Sequence, residues 1–207
     1  MGIFLNPGNE GFRSALRSQI YVDKTGLLEY TNAVLDSEQR YICVSRPRRF
    51  GKSITAEMLA AYYDKTCDSL ELFQDYQIAS NKHFREHLNK YDVIHMDINF
   101  FRGANKPEKK VVDKIQYSVI TELRECYPGC IADDEDSLQV ALADIYKTTG
   151  AKFVVIIDEW DAVFRESRED ERAQTEYIDL LRGLFKDAPS KKFIKLAYLT
   201  GILPIKK

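Results

Sequence analysis

Short apolar runs alternate with longer amphipathic segments along this chain. Four runs rich in β-branched and aromatic residues predict strands, at 41–44, 91–99, 153–157 and 193–200. The segments around them carry apolar residues on one side and predict helices, at 26–35, 54–64, 81–89, 107–127, 138–149 and 176–186. Because helices alternate with strands, we predict an α/β fold with a mostly parallel sheet of about four to five strands flanked by helices.

The first residues precede this alternating pattern. They contain two glycine turns and a short helical piece near 12–17, so we predict an irregular N-terminal arm over 1–20 and one domain over 21–207. A chain of 207 residues buries roughly 70% of its unfolded surface, which is enough for a substantial core.

Composition narrows the functional classes. The formal net charge is −2, with 44% hydrophobic and 30% charged residues, so no global attraction to nucleic acid or to anionic membranes is expected. The start lacks the pattern of a signal peptide, and no stretch approaches the ~20 apolar residues of a membrane span. The four cysteines have no C-x-x-C spacing. We expect a cytoplasmic protein with reduced thiols.

The segment after the first strand has the sequence of a phosphate-binding loop. Residues 45–53 are Ser-Arg-Pro-Arg-Arg-Phe-Gly-Lys-Ser, and they lie between a predicted strand and a predicted helix, as such a loop requires. Free amides and the positive dipole end at a helix start favour a bound phosphate. Gly51 would let the backbone approach the ligand, Lys52 would bridge the terminal phosphates during catalysis, and Ser53 would bind Mg²⁺. The predicted nucleotide-binding residues here are Arg46, Pro47, Arg48, Arg49, Phe50, Gly51, Lys52, Ser53 and Ile54.

This loop departs from the usual motif G-x-x-x-x-G-K-[ST] at one position. Arg46 stands where the first glycine is expected, and Pro47 removes one backbone amide donor. The arginines offer a compensation, because Arg46, Arg48 and Arg49 can pair with phosphate oxygens in a forked geometry. The alternative is a solvated basic turn that ends in Gly-Lys-Ser.

A second informative segment begins with the apolar run 153–157, which is too short for a helix and is typical of a strand buried on both faces. Asp158 and Glu159 follow it. Asp158 would hold Mg²⁺ beside the loop serine, directly or through water. Glu159 would polarise the attacking water as a general base, a role worth roughly 10²–10⁴-fold in rate. Thr200, at the end of another predicted strand, would sense the γ-phosphate. The alternative for the carboxylates is helix capping.

Three segments together resemble the AAA-ATPase-like family of bacterial P-loop proteins. They are Arg46 to Ser53, the earlier Tyr-Val-Asp-Lys-Thr at 21–25, and Ile-Asp-Glu-Trp-Asp-Ala at 157–162. In that family the first glycine of the loop is normally missing. The resemblance covers about 21–203 and implies a P-loop NTPase fold, ATP binding by Gly51, Lys52 and Ser53, and handling of Mg²⁺ and water by Asp158 and Glu159.

The chain departs from the family pattern in two ways. Trp160 stands where tyrosine is usual, and Val163 where proline is common. In addition, members commonly continue into a helical lid and a nuclease-like domain of the PD-(D/E)XK class, whereas this sequence stops soon after Thr200. It is therefore expected to be either a fragment or a natural short form.

The function predicted from the sequence is Mg²⁺-dependent ATP binding with slow hydrolysis, as the nucleotide-controlled module of a larger, nuclease-linked system. Hydrolysis is expected to be slow because no arginine finger can be assigned: Arg165, Arg168 and Arg172 follow the second segment, but a charged helix face is their simpler role. One alternative is a non-hydrolysing module that senses nucleotide and controls a protein partner or an oligomer. Another is nucleic-acid binding through the arginine-rich loop.

Overall fold

All four predicted strands form and pair in parallel in the computed structural model, which describes residues 2–103, 110–166 and 170–203. The strands are β1 (Tyr41–Ser45), β2 (Asp92–Asp97), β3 (Phe153–Asp158) and β4 (Ile194–Gly201). Their order in the sheet is β1-β4-β3-β2, so the last strand lies between the first and the third. Because every pairing is parallel, all four carboxyl ends lie at one edge of the sheet. The predicted α/β fold with a parallel sheet is confirmed.

Helices cover both faces of this sheet. In the described ranges they are α1 (Glu10–Leu16), α2 (Leu27–Ala33), α3 (Lys52–Tyr63), α4 (Leu70–Phe73), α5 (Phe84–His87), α6 (Ile98–Gly103), α7 (Val111–Cys126), α8 (Leu138–Thr149), α9 (Ala162–Glu166), α10 (Glu171–Phe185) and α11 (Ser190–Phe193), with a 3₁₀ helix at Gln77–Ser80. Helices α1 to α3 contribute to the apolar cluster on one face, and α7, α8 and α10 to the cluster on the other. None of these helices is long and apolar enough to cross a membrane.

The strands divide their side chains between the two clusters. Val154 and Ile156 of β3 pack with α3, whereas Val155 and Ile157 pack with the opposite helices. All six residues of β3 are buried. A strand in the interior of a parallel sheet is covered on both faces, which explains why its sequence is a continuous apolar run rather than an alternating one.

The helix predicted over 81–89 is shorter in the structure than the prediction. Only Phe84–His87 is α-helical, and it follows the 3₁₀ helix at Gln77–Ser80. Asn89 has a left-handed backbone, with φ +56°, and its side chain contacts the main chain of distant residues: its Oδ1 accepts from Ser69 N at 2.9 Å, and its Nδ2 donates to Asp64 O at 2.7 Å. These long-range bonds hold Asn89 in its left-handed backbone conformation, which a right-handed α-helix cannot include.

Residues 98–103 form helix α6, although the sequence pattern predicted no helix there. Ile98 and Phe101, three positions apart, are buried in the core, and the Phe101 ring stacks on Phe4 at 4.9 Å between centroids. A residue far away in the sequence therefore stabilises this short helix. The strand itself ends at Asp97 instead of Asn99.

Other element bounds differ by a few residues. Helix α10 begins at Glu171, earlier than the predicted 176, because the Asp170 side chain caps it by accepting a hydrogen bond from Ala173 N at 2.9 Å. Helix α7 begins at Val111 in the described part of the chain. The start predicted at Pro107 lies outside the described residues.

The first residues contact the body of the protein at several points. Phe12 of α1 and Leu5 are fully buried, and Leu5 forms an antiparallel bridge with Ile94 of β2. The Glu122 carboxylate of α7 accepts three backbone N–H bonds, from Ile3, Phe4 and Leu5. The division of the chain at residue 20 stays a prediction.

Candidate nucleotide-binding site

The predicted loop begins where β1 ends and closes onto the neighbouring strand. The backbone N–H of Arg46 donates to Gly201 O at 3.0 Å, so the β1–β4 ladder extends one residue into the loop. Helix α3 then begins at Lys52. The strand, loop and helix thus follow one another as the sequence pattern predicts, and the amides of the first helical turn lie at the carboxyl edge of the sheet.

The loop turns through two residues with left-handed backbones, Arg49 at φ +68° and Gly51 at φ +71°. Two lysine side chains hold its main chain. Lys52 Nζ donates to Pro47 O at 3.0 Å, and Lys24 Nζ donates to Phe50 O at 2.7 Å. A Cβ atom added at Gly51 would lie 2.6 Å from Lys24 Nζ, so a larger residue would displace this lysine. Lys24 belongs to the segment 21–25 and was assigned no role from the sequence.

A cavity of about 390 Å³ lies in front of the loop. It is lined by Arg48, Arg49, Gly51, Lys52, Ser53, Ile54, Asn99, Glu159 and Arg165. The fold therefore brings seven of the predicted site residues around one opening, although they come from segments more than 100 positions apart. Asn99 and Arg165 are additions to the predicted set. Asn99 lies in the first turn of α6, just after β2 ends at the carboxyl edge of the sheet.

Five predicted site residues are not among those that line this cavity. Arg46, Pro47 and Phe50 are exposed parts of the loop. Asp158 and Thr200 are buried, at the ends of adjacent strands, and the Thr200 hydroxyl donates to Asp158 Oδ1 at 3.3 Å. The same carboxylate oxygen accepts the backbone N–H of Glu159 at 2.9 Å. The roles predicted for these five residues remain predictions.

Glu159 faces the loop across the cavity. Its backbone is left-handed, with φ +53°, which is uncommon for a residue other than glycine. Its carboxylate lies 3.9 Å from Lys52 Nζ and forms a close ion pair with Nη2 of Arg165. Burial raises the pKa of the Glu159 carboxyl above its ordinary value, and the positive charge of Arg165 is the main influence that opposes this rise.

Arg165 corrects an expectation from the sequence. It is not part of a solvated helix face: its side chain is 12% exposed, and its Nε lies 3.2 Å from Asp161 Oδ2 in addition to the pair with Glu159. Arg172, by contrast, is 78% exposed and pairs with Glu176 at 3.0 Å, which confirms the prediction for that residue. Arg168 lies outside the described residues. The i, i+4 spacing of Asp161 and Arg165 was the one signal that could have indicated their pairing.

The turn at 158–161, called the acidic turn below, is fixed by hydrogen bonds to Thr200 of β4 and to the two residues that follow this strand. Trp160 N donates to Thr200 O at 3.0 Å, and Asp161 Oδ2 accepts Ile202 N at 3.0 Å and Leu203 N at 2.7 Å. Trp160, which departs from the family pattern, packs into the core. Asp161 is fully buried. The acidic turn is therefore tied to the strand that separates it from the loop.

The whole sequence was also compared with protein families. Residues 10–207 match the AAA-ATPase-like family, described as predicted AAA-ATPase. The chain belongs to this family. The resemblance inferred from the loop and the acidic turn is thereby confirmed, and with it the general expectation of a P-loop NTPase-type fold for which ATP binding is plausible. No curated protein matches the sequence significantly.

A magnesium ion needs oxygen donors at or beside the cavity. The described part of the chain contains no group of three or more His, Cys, Asp or Glu side chains suited to a metal. Magnesium sites that act on nucleotides need only one or two protein oxygens, because phosphates and water supply the others. The Ser53 hydroxyl, which lines the cavity, and the Asp158 carboxylate, which is buried at the end of β3 and does not line it, are oxygen donors of this kind.

Proposed function

We propose that this protein binds ATP with Mg²⁺ in the cavity before the loop and hydrolyses it slowly. One observation carries the proposal: a helix start and four cationic side chains, Arg48, Arg49, Lys52 and Arg165, surround an opening whose wall also contains the Glu159 carboxylate. Cations and free helix amides complement a polyphosphate, and a carboxylate opposite them suits a water molecule.

The loop would hold the phosphates. Its helix amides would donate to phosphate oxygens, and Lys52 would leave the Pro47 carbonyl to bridge the terminal groups. Arg48 and Arg49 would take the place of the amide contacts that a glycine-rich loop offers, because guanidinium groups bind phosphate in pairs of hydrogen bonds. Gly51 keeps the backbone close to the ligand.

Ser53 and Asp158 would hold the magnesium ion, which when bound neutralises part of the phosphate charge. Asp158 is buried and bonded to the Thr200 hydroxyl and to Glu159 N, so its position is fixed before any ligand enters. Thr200 would report on the terminal phosphate through this hydrogen bond.

Glu159 would accept a proton from the attacking water. In the structure its carboxylate pairs with Arg165 and lies 3.9 Å from Lys52 Nζ, so these two cations occupy the oxygens that would accept the proton. The carboxylate must therefore be released before it can act, which supports slow rather than fast turnover in the isolated protein. Regulation by a protein partner, by an oligomer or by a nuclease-like region belongs to this proposal as well.

The test is calorimetry of ATP binding with wild-type protein and with Lys52→Ala. Charge-assisted hydrogen bonds contribute roughly 1.5–3 kcal/mol, so the variant should lose about 10- to 150-fold in affinity while its fold is intact. Lys82→Ala, which removes an exposed lysine elsewhere, serves as the matched control and should bind normally. Equal affinity in wild type and Lys52→Ala would refute the phosphate-loop assignment.

A turnover assay separates the enzyme from a non-hydrolysing sensor. A slow rate that is independent of protein concentration supports hydrolysis by the single chain. Binding without any product over several hours would instead favour the sensor. A steep loss of nucleic-acid affinity with salt, unchanged by ATP, would favour the third alternative.

A further inference from the structure

One cation that lines the cavity, Arg165, is held in position by the carboxylates of the acidic turn. Helix α9 begins at Ala162, immediately after that turn, and directs the Arg165 side chain back toward it. Its guanidinium contacts two carboxylates through different nitrogen atoms: Nε lies 3.2 Å from Asp161 Oδ2, and Nη2 pairs with Glu159.

The two carboxylates differ in how firmly they are held. Asp161 is fully buried, and its Oδ2 also accepts two backbone N–H bonds from residues 202 and 203. Glu159 lines the cavity and has only side-chain cations as its closest partners in the described structure, Lys52 and Arg165. The Asp161 end of the guanidinium is thus a fixed point, whereas the Glu159 end lies at the ligand opening.

A terminal phosphate would compete for the same two cations. Lys52 and Arg165 both meet at the Glu159 carboxylate, and Lys52 is the residue expected on the terminal phosphates. A phosphate group that reaches Lys52 therefore comes within reach of Arg165. A planar guanidinium with five donors can exchange one acceptor while it keeps another.

We propose that Arg165 is a phosphate-binding residue supplied by the chain itself, and that it couples ATP binding to release of the Glu159 carboxylate. When ATP occupies the cavity, Nη2 of Arg165 transfers from Glu159 to the terminal phosphate while Nε stays beside Asp161. Glu159 is then free to accept a proton from water. This inference rests on the proposed function, and it adds the contact that distinguishes ATP from ADP at that site.

The first experiment compares binding of a non-hydrolysable ATP analogue and of ADP to wild type, Arg165→Gln and Arg165→Lys. Loss of the terminal-phosphate contact should weaken the analogue about tenfold or more in Arg165→Gln and leave ADP within about twofold. Arg165→Lys should recover part of the loss because it restores the charge. Arg172→Gln, an exposed arginine of α10, is the matched control.

A purely structural role for Arg165 gives a different result. If Arg165 only braces the Asp161 turn, Arg165→Gln should lower the thermal midpoint and weaken both nucleotides equally, which would overturn the proposal. If wild type binds neither nucleotide, the proposed function fails first, so the two failures are distinguishable. The ratio of the two affinities is independent of the fraction of protein that folds, which keeps the test valid for a destabilised variant.

A second experiment tests the competition directly. Glu159→Gln removes the charge that holds Arg165 away from phosphate, so this variant should bind the ATP analogue more tightly than wild type. The gain should disappear when Arg165→Gln is added, as a double-mutant cycle measures. An unchanged gain in the double variant would show that Glu159 repels the nucleotide directly and that Arg165 does not transfer.

Discussion

The loop proposed to bind phosphate and the acidic turn occupy equivalent places in this fold but are built differently. Each follows a parallel strand at the carboxyl edge of the sheet, and each contains a residue other than glycine with a left-handed backbone, Arg49 in one and Glu159 in the other. The loop is cationic and its residues 46–50 are exposed, whereas Asp158 and Asp161 of the turn are buried. The exposed loop can therefore rearrange around a ligand, whereas the buried acidic turn has its shape before a ligand binds.

The difference lies in which groups accept the anchoring hydrogen bonds. In the loop the acceptors are main-chain carbonyls, of Pro47 and Phe50, and the donors are lysine side chains that can move. In the turn the acceptors are the carboxylates of Asp158 and Asp161, and most of the donors are backbone amides. Side-chain donors can be exchanged for a ligand, but the backbone amides of Glu159, Ile202 and Leu203, which directly follow two packed strands, cannot. Ligand-driven change should therefore occur mainly in the loop.

The largest expected effect comes from the turn. Glu159→Gln should lower the ATP turnover rate by roughly 10²–10⁴-fold, the usual contribution of a general base, without loss of ATP affinity. The measurement is steady-state ADP release beside calorimetry, with Glu171→Gln as an exposed control. Full turnover in Glu159→Gln would mean that the base is another residue. Lost affinity would mean that the carboxylate helps to shape the binding site.

A smaller effect is expected from the loop arginines. Replacing Arg48 and Arg49 together by Ala should weaken ATP roughly tenfold and AMP much less, because these side chains line the cavity beside the start of α3, where the phosphates are proposed to bind. Arg46→Ala is a matched comparison, since Arg46 is exposed, does not line the cavity and keeps its backbone bond to Gly201. Equal losses for ATP and AMP in calorimetry would show that the arginines only shape the loop.

Replacing Lys24 tests whether the loop needs a hydrogen-bond donor that lies outside the loop itself. Lys24→Met removes the hydrogen bond to the Phe50 carbonyl, and a single such bond contributes about 0.5–1.5 kcal/mol. We expect a few-fold weaker affinity for ATP and for ADP alike, with Lys24→Arg close to wild type because it retains a donor. Unchanged affinity in Lys24→Met would show that the loop keeps its shape without this contact.

The smallest expected effect is a shift in the pH dependence of kcat/KM. Burial raises the pKa of Glu159, with Asp158 and Asp161 adding to the rise and Arg165 and Lys52 opposing it. The ionised base is therefore lost at a higher pH than for an ordinary glutamate, and kcat/KM should fall as the pH is lowered through that raised pKa. Arg165→Gln removes an opposing charge, so the acid limb of its pH profile should move to higher pH. A limb that moves to lower pH would contradict this electrostatic account.

Most of the fold follows from local sequence. The buried strand at 153–157 was predictable because a continuous apolar segment of that length suits a strand covered on both faces. The strand before Gly-Lys-Ser lies at the edge of the sheet and was predictable because it is rich in β-branched and aromatic residues. The early end of the helix predicted over 81–89 was not predictable, since Asn89 is held by main-chain groups some 20 to 30 positions away. Helix α6 was not predictable either, since Phe101 is held by Phe4. Periodicity contains no information on such contacts.

Which predicted residues line the cavity could be anticipated where those residues share a motif. Lys52, Ser53 and Glu159 belong to two short segments whose order on strands and helices indicates their meeting place. Arg165 and Lys24 belong to no such segment with an assigned role, and their positions depend on how α9 leaves the acidic turn and how 21–25 passes over the loop. An arginine in a charged stretch is indistinguishable, by sequence alone, from one on a solvated helix.

The left-handed backbone of Glu159 also sets a limit on how this protein can be improved. A residue other than glycine in that conformation costs roughly 1–2 kcal/mol, so glycine at position 159 would be the more stable choice. Glycine would also remove the carboxylate. A screen for heat-resistant variants should therefore select Glu159→Gly, and this variant would be more stable but would lack the proposed catalytic carboxylate. The proposed role of Glu159 as the general base would explain why a glutamate stands where the backbone conformation favours glycine.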